Sequence, residues 1–169
     1  NQIEKLDNYH KLVRSGLNTL VGDENPWCAS FINYCLKESG YQMSQAVASS
    51  QSFKWDSNFV KISKPAYGAL AVWTNPKKKT KGHVCFVLGV SGNNFIRLGG
   101  NQDNMITVDS RPISTYQYYF PKVYSKGVDG EITDAPTITL RELDAQGLPV
   151  QKSKKTLFDN NDLINHQKN

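Results

Sequence analysis

The sequence predicts an α+β fold in which helices come first and an antiparallel sheet follows. Up to about residue 40, apolar residues recur every three or four positions. From Gly68 onward, short β-branched and aromatic runs alternate with turn residues. The length of 169 residues gives room for one domain with a core of its own.

Each element has its own signal. Ile3, Leu6, Tyr9, Val13, Leu17 and Leu20 place an amphipathic helix over residues 2–20. After the loop Val21–Glu24, Asn25 suits an N-cap and Pro26 a first helical position. Ala29, Ile32 and Leu36 form the apolar stripe of a second helix, with Lys37 in its last turn and Gly40 placed to end it. Cys28 then falls in the first turn. Residues 41–66 read as a polar loop with a short helix near Ala46–Trp55. Strands are expected at Ala69–Trp73, His83–Val90, Phe95–Leu98, Met105–Val108 and Tyr116–Val123. The turns between them are Asn75-Pro76, Gly92-Asn93-Asn94, Gly99-Gly100 and Arg111-Pro112. Beyond Lys126 a linker with Gly127, Gly130 and Pro136 leads to a hairpin of Thr137–Leu140 with Leu148–Gln151, then a polar tail. The chain divides into a domain over 1–124 and an extension over 125–169. No internal repeat is present.

Composition narrows the function classes. The three cysteines have no framework or metal-ligand spacing, so neither a disulfide scaffold nor a zinc site is expected, and no cofactor is called for. No apolar run approaches the ~18 residues that span a bilayer. The start, Asn1-Gln2-Ile3-Glu4, has neither a basic nor an apolar leader segment and no initiator Met. It reads as a boundary or a processing site and says little about export. The net charge of +5 is concentrated in residues 1–124, with 14 Lys and Arg against 8 Asp and Glu. Such a surface favours an anionic partner, and serves solubility equally well.

Two residues carry the chemistry. A first-turn cysteine meets unpaired N–H groups and the positive end of the helix dipole, which favour a thiolate and can hold an oxyanion. A small buried core residue is the competing reading of Cys28. His83 leads an otherwise apolar strand and shares a face with Cys85 and Val87. A strand-end histidine is its competing reading. A third group should orient the imidazole. If the strand Phe95–Leu98 pairs with the one that begins at His83, Asn101 or Gln102 reaches the same sheet end. Asn101 has the parity of Phe95 and Arg97, Gln102 that of Ile96 and Leu98. A plain turn at Gly-Gly-Asn also fits. Cys85 reads as core packing. The loop with Lys77, Lys78, Lys79 and Lys81 reads as a solvated turn. Trp27, Trp55, Trp73, Tyr116, Tyr118 and Tyr119 read mostly as core and sheet-face aromatics.

Pro26-Trp27-Cys28-Ala29-Ser30-Phe31 resembles the cysteine-helix motif of NlpC-like and CHAP (cysteine, histidine-dependent amidohydrolase/peptidase) domains. Gly68-Ala69-Leu70-Ala71-Val72-Trp73, Gly82-His83-Val84 and Leu98-Gly99-Gly100-Asn101-Gln102 resemble the later motifs of those domains, in order, over about residues 1–124. The likeness is greatest to a phage- and toxin-associated branch. The resemblance implies a papain-like fold, with the cysteine at a helix N-terminus packed on an antiparallel sheet. It implies Cys28 as nucleophile, His83 as base, and Asn101, with Gln102 competing, as the third member. The family's substrate is the peptidoglycan stem peptide, cut by an endopeptidase or amidase, with no metal or cofactor. An antibacterial toxin, effector or phage-type lysin acting in the periplasm or cell wall is then expected, with room for an immunity or inhibitor protein and no nucleic-acid partner. The other function open to the fold is a papain-like toxin that deamidates or otherwise modifies a protein. The chain departs from the family at Pro65-Ala66-Tyr67-Gly68, which lacks the usual Asp, and at Cys85 after Gly-His-Val.

Overall fold

The computed structural model describes residues 8–14, 25–125 and 137. The chain forms two compact units, Asn1–Ile138 and Thr139–Asn169, and everything below concerns the first. The expected linker, the hairpin over 137–140 and 148–151, and the tail lie, apart from Thr137, outside the described residues.

Helix α1 spans Tyr9–Val13 and is bounded by Asn8, with φ 43°, and by Arg14 in an extended conformation. The continuous helix expected over 2–20 is therefore interrupted at both positions. Asn8 tolerates the left-handed region and its side chain accepts a hydrogen bond from Lys11 N at 3.1 Å, an N-terminal cap within the expected helix.

Helix α2 spans Cys28–Glu38. It starts two residues later than the Asn25–Pro26 punctuation suggests. Trp27 takes the N-cap position with φ −113° and ψ 9° and is fully buried, its ring stacked on Tyr9 at 5.6 Å. The end is as expected. Gly40 adopts φ 78°, Gly40 N donates to Lys37 O at 3.1 Å and Tyr41 N to Leu36 O at 2.8 Å. This is a Schellman closure, which needs the left-handed conformation that glycine adopts without steric cost.

Six antiparallel strands form one sheet: β1 (Phe59–Ile62), β2 (Leu70–Thr74), β3 (Gly82–Ser91), β4 (Asn94–Gln102), β5 (Met105–Pro112) and β6 (Gln117–Pro121), in the order β1-β6-β2-β3-β4-β5. The meander expected from sequence holds for β2 to β5, but its expected fifth strand, Tyr116–Val123, leaves it. Strand β6 then returns to lie between β1 and β2. Short 3₁₀ turns occur at Ser52–Lys54 and Ile113–Thr115, and α3 spans Lys122–Ser125.

The sheet buries both faces. On one, Leu70, Val72 and Val84 pack with Trp27, Cys28, Phe31 and Ile32 of the helical layer. On the other, Ala69, Ala71, Cys85, Val87, Phe95, Tyr118 and Phe120 form a second core. Strand alternation explains the division, since neighbours such as Val84 and Cys85 point to opposite faces.

Candidate active site

Cys28 is the first residue of α2, and no side chain caps that end. The first-turn N–H groups are thus open to other acceptors. Burial is the main influence on the thiol and raises its pKa; the backbone N–H groups of Val84, Ala29 and Cys28 itself act in the opposite sense. The helix start and strand β3 therefore meet at the sulfur, and Val84 is the residue next to His83.

A single loop registers helix and strand. Asn33 is fully buried on α2. Its Nδ2 donates to Val47 O at 2.9 Å and Ser44 Oγ at 3.0 Å, and its Oδ1 accepts from Ser44 N at 2.7 Å. Further along the loop, Gln51 Nε2 donates to Trp73 O at 3.0 Å, and Gln51 Oε1 accepts from Thr74 Oγ1 at 2.7 Å. Trp73 is the cross-strand partner of His83. A Cβ on Gly82 would lie 2.0 Å from Trp73 O and 2.4 Å from Gln51 Nε2. Only glycine fits there, directly before the histidine.

His83 sits at the start of β3. Its Nε2 lies 3.2 Å from Gln102 Oε1. The Gln102 amide has its own orientation fixed, because Nε2 donates to Thr107 O at 2.8 Å and Thr107 Oγ1 at 2.7 Å. A carbonyl oxygen only accepts, so the nitrogen of the amide faces Thr107 and the oxygen faces the ring. His83 Nε2 therefore carries the proton of the neutral ring, and Nδ1 holds the lone pair. Burial foremost, then the positive charge of Arg97, pulls the His83 pKa down to about 4, against the opposing Gln102 hydrogen bond and the Asp109 carboxylate. Near neutral pH the ring is uncharged.

The bond to His83 thus comes from Gln102, and Asn101 lies beside it. The reason is a one-residue bulge. Gly99 pairs with Thr107 and Gln102 with Met105, so β4 spends three steps where β5 spends two. Asn101 takes φ 57° and absorbs the extra residue. Alternation is reversed beyond it, and Gln102 comes to the His83 face. Asp103 and Asn104, with φ 53° and 57°, close the two-residue hairpin in the primed-turn manner.

Gly99 and Gly100 let β4 pass tightly between two layers. A Cβ on Gly100 would lie 2.4 Å from the Trp27 ring and 2.9 Å from Phe31, and one on Gly99 would lie 2.8 Å from Gln102 Oε1 and 3.0 Å from Cys85 Cβ.

The structure joins His83 to Gln102 and sets Cys28 against the neighbouring Val84. Among the described residues no hydrogen bond links the Cys28 thiol to the His83 ring. Cys85 is buried, its thiol donates to Ala71 O at 3.7 Å, and burial pushes its pKa up to about 12, as suits a core residue. Sequence reasoning passed over Arg97. It is a buried cation whose Nε and Nη2 bind Asp109, the latter at 2.9 Å, and whose Nη1 donates to Tyr116 OH at 3.1 Å. Its sequence signal was a charged residue inside the run Phe95-Ile96-Arg97-Leu98. Among the described residues, no three His, Cys, Asp or Glu side chains are grouped as metal ligands, and no helix is long and apolar enough to cross a membrane.

Residues 20–101 match the family model of the CHAP domain. This segment is similar to CHAP domains. It contains Cys28, His83 and the Gly99-Gly100-Asn101 stretch of β4. A CHAP domain points to a hydrolase, an amidase or peptidase, acting on peptidoglycan. The α+β architecture with its antiparallel sheet is compatible with the papain-like form of the CHAP fold. No curated protein matches the chain.

Proposed function

We propose that the chain cleaves an amide bond of the peptidoglycan stem peptide, with Cys28 as nucleophile, His83 as general base and Gln102 as the residue that holds the ring. The observation that carries this reading is the Thr107–Gln102–His83 chain of hydrogen bonds, which leaves Nδ1 as the basic nitrogen. Both partners start uncharged, since burial raises the thiol and lowers the imidazole. Sulfur attacks the amide carbonyl as Nδ1 takes the thiol proton, and the Cys28 N–H holds the oxyanion. The imidazolium then gives its proton to the leaving amine. Water, deprotonated by His83, hydrolyses the thioester and restores the thiol. The mechanism requires the thiol and the ring to come to hydrogen-bond distance in the substrate complex, where such contacts tighten.

On this reading residues 1–124 are the hydrolase domain and 125–169 an accessory extension. The protein acts at the cell wall as an antibacterial effector or phage-type lysin, and an inhibitor protein is its natural counterpart. Digestion of purified cell wall, followed by mass spectrometry of the muropeptides, tests the proposal and identifies the bond cut. Wild type releases fragments, while Cys28→Ala and His83→Ala release none. Full activity in Cys28→Ala would refute the mechanism. Inert cell wall together with a modified host protein would transfer the site to the deamidase class.

A further inference from the structure

On the His83 face of the sheet lies a cavity of about 410 Å³, whose lining includes His83, Arg97, Gln102, Asp103, Arg111 and Tyr116. Two of its lining residues, Arg97 and Arg111, belong to one line of charges. Buried Arg97 grips Asp109 with two nitrogens, and Arg111 Nη2 reaches the Oδ2 of the same carboxylate at 2.9 Å. Two guanidiniums share one carboxylate, so the line ends on a cation. Arg111 is that end. Its side chain is 46% exposed, its Nη1 donates to Ser110 O at 2.8 Å, and a guanidinium has five N–H donors. Tyr116 OH accepts from Arg97 Nη1 and keeps its own proton to donate. Burial foremost pushes the phenol up to about 12, so that proton stays in place. The one acidic lining residue, Asp103, is exposed on the β4–β5 turn at the opposite end from Arg111.

We infer that this cavity is a carboxylate subsite, in which Arg111 and the Tyr116 hydroxyl bind a free carboxylate on the residue flanking the scissile amide. The inference rests on the hydrolase reading above and adds a substrate class to it: stem peptides whose carboxylates are free, in preference to those in which they are carboxamides. A carboxylate there extends the alternation Arg97–Asp109–Arg111 by one member, and the partly enclosed cavity screens it less than open water would. A carboxamide has the same shape and lacks the charge.

The test uses the full chain and two stem peptides, one with free carboxylates and one with the same groups amidated. Wild type is expected to cleave the free acid about tenfold more efficiently, the scale of a charged hydrogen bond at a half-wet site. In Arg111→Gln that preference disappears, with the loss in KM rather than kcat. Tyr116→Phe, which keeps the ring, loses part of it. Equal cleavage of the two peptides by wild type, or an undiminished preference in Arg111→Gln, overturns the inference. Binding of both peptides to Cys28→Ser separates the two proposals. If wild type cleaves neither peptide, the hydrolase reading fails. Tighter binding of the acid that Arg111→Gln abolishes would still support the subsite, and equal binding would overturn it.

Discussion

Gly100→Ala puts one methyl group where the structure leaves no space. The new Cβ would lie 2.4 Å from the Trp27 ring and 2.9 Å from Phe31, against the roughly 3.5–4.0 Å at which carbon atoms rest. Neither ring has an easy retreat. Trp27 is fully buried, stacked on Tyr9 at 5.6 Å and edge-on to Phe31 at 6.5 Å. Two effects oppose each other. Gly100 is not among the positive-φ residues, so alanine fits the backbone and stabilises by about 0.4–1 kcal/mol through the unfolded chain. Overpacking a tight core costs about 1–3 kcal/mol. The net expectation is a loss of about 1–2 kcal/mol, or about 2–4 °C of Tm for each kcal/mol in a chain of this size. Urea unfolding followed by tryptophan fluorescence measures it. Gly99→Ala is the companion. Its Cβ meets the end of the Gln102 side chain at 2.8 Å, which can turn away, so the change should spare stability more and detach Gln102 from His83. A Gly100→Ala protein as stable as wild type, or more so, would refute the close passage of β4 between its two layers.

Gln102→Leu removes the acceptor for His83 Nε2–H and frees the ring to change tautomer. A partner left unsatisfied costs about 1–3 kcal/mol, so kcat for wall cleavage should fall roughly 10- to 100-fold with little change in KM, while Asn101→Leu falls far less; equal losses would return the role to Asn101. Stability should depend on pH through His83. Its folded midpoint of about 4 lies below the ordinary 6.5, so between those values the unfolded chain takes up a proton that the folded chain refuses. Stability is complete above about pH 6.5 and declines as the pH falls toward 4, by up to about 3 kcal/mol at about 1.4 kcal/mol per pH unit. Denaturation across pH 4–8 should show this slope in wild type and a shallower one in His83→Gln, and identical slopes would show that the ring is not held neutral.

Most of the strands were legible because their signals are local. Gly82–Ser91 and Asn94–Gln102 alternate over a long run and end in turn residues. The end of α2 was legible for the same reason, since Gly40 supplies a conformation that the closure demands. Strand β1 was not. Phe59-Val60-Lys61-Ile62 is four residues long, set in a polar stretch, and is a strand because β6 returns beside it, a non-local pairing that no local pattern encodes. The start of α2 was misplaced because burial of Trp27 outweighed the propensities of Asn25 and Pro26. At the candidate site, the places of Cys28 in a first helical turn and of His83 at a strand start were legible from local punctuation. The side chain that bonds to the His83 ring was not, because parity arguments assume an unbroken ladder, and the extra residue at Asn101 inverts the parity of everything after it.

The burial that leaves Cys28 protonated also bears on how long the protein lasts. Peroxide and alkylating agents react with thiolates and hardly with thiols. Cys28 is shielded and its pKa is raised, and burial places Cys35 at about 11 and Cys85 at about 12. All three sulfurs are free, and all are chemically quiet in the resting fold. Burial and raised pKa values together favour slow oxidation of all three thiols in aerated medium, with no disulfide among them to protect.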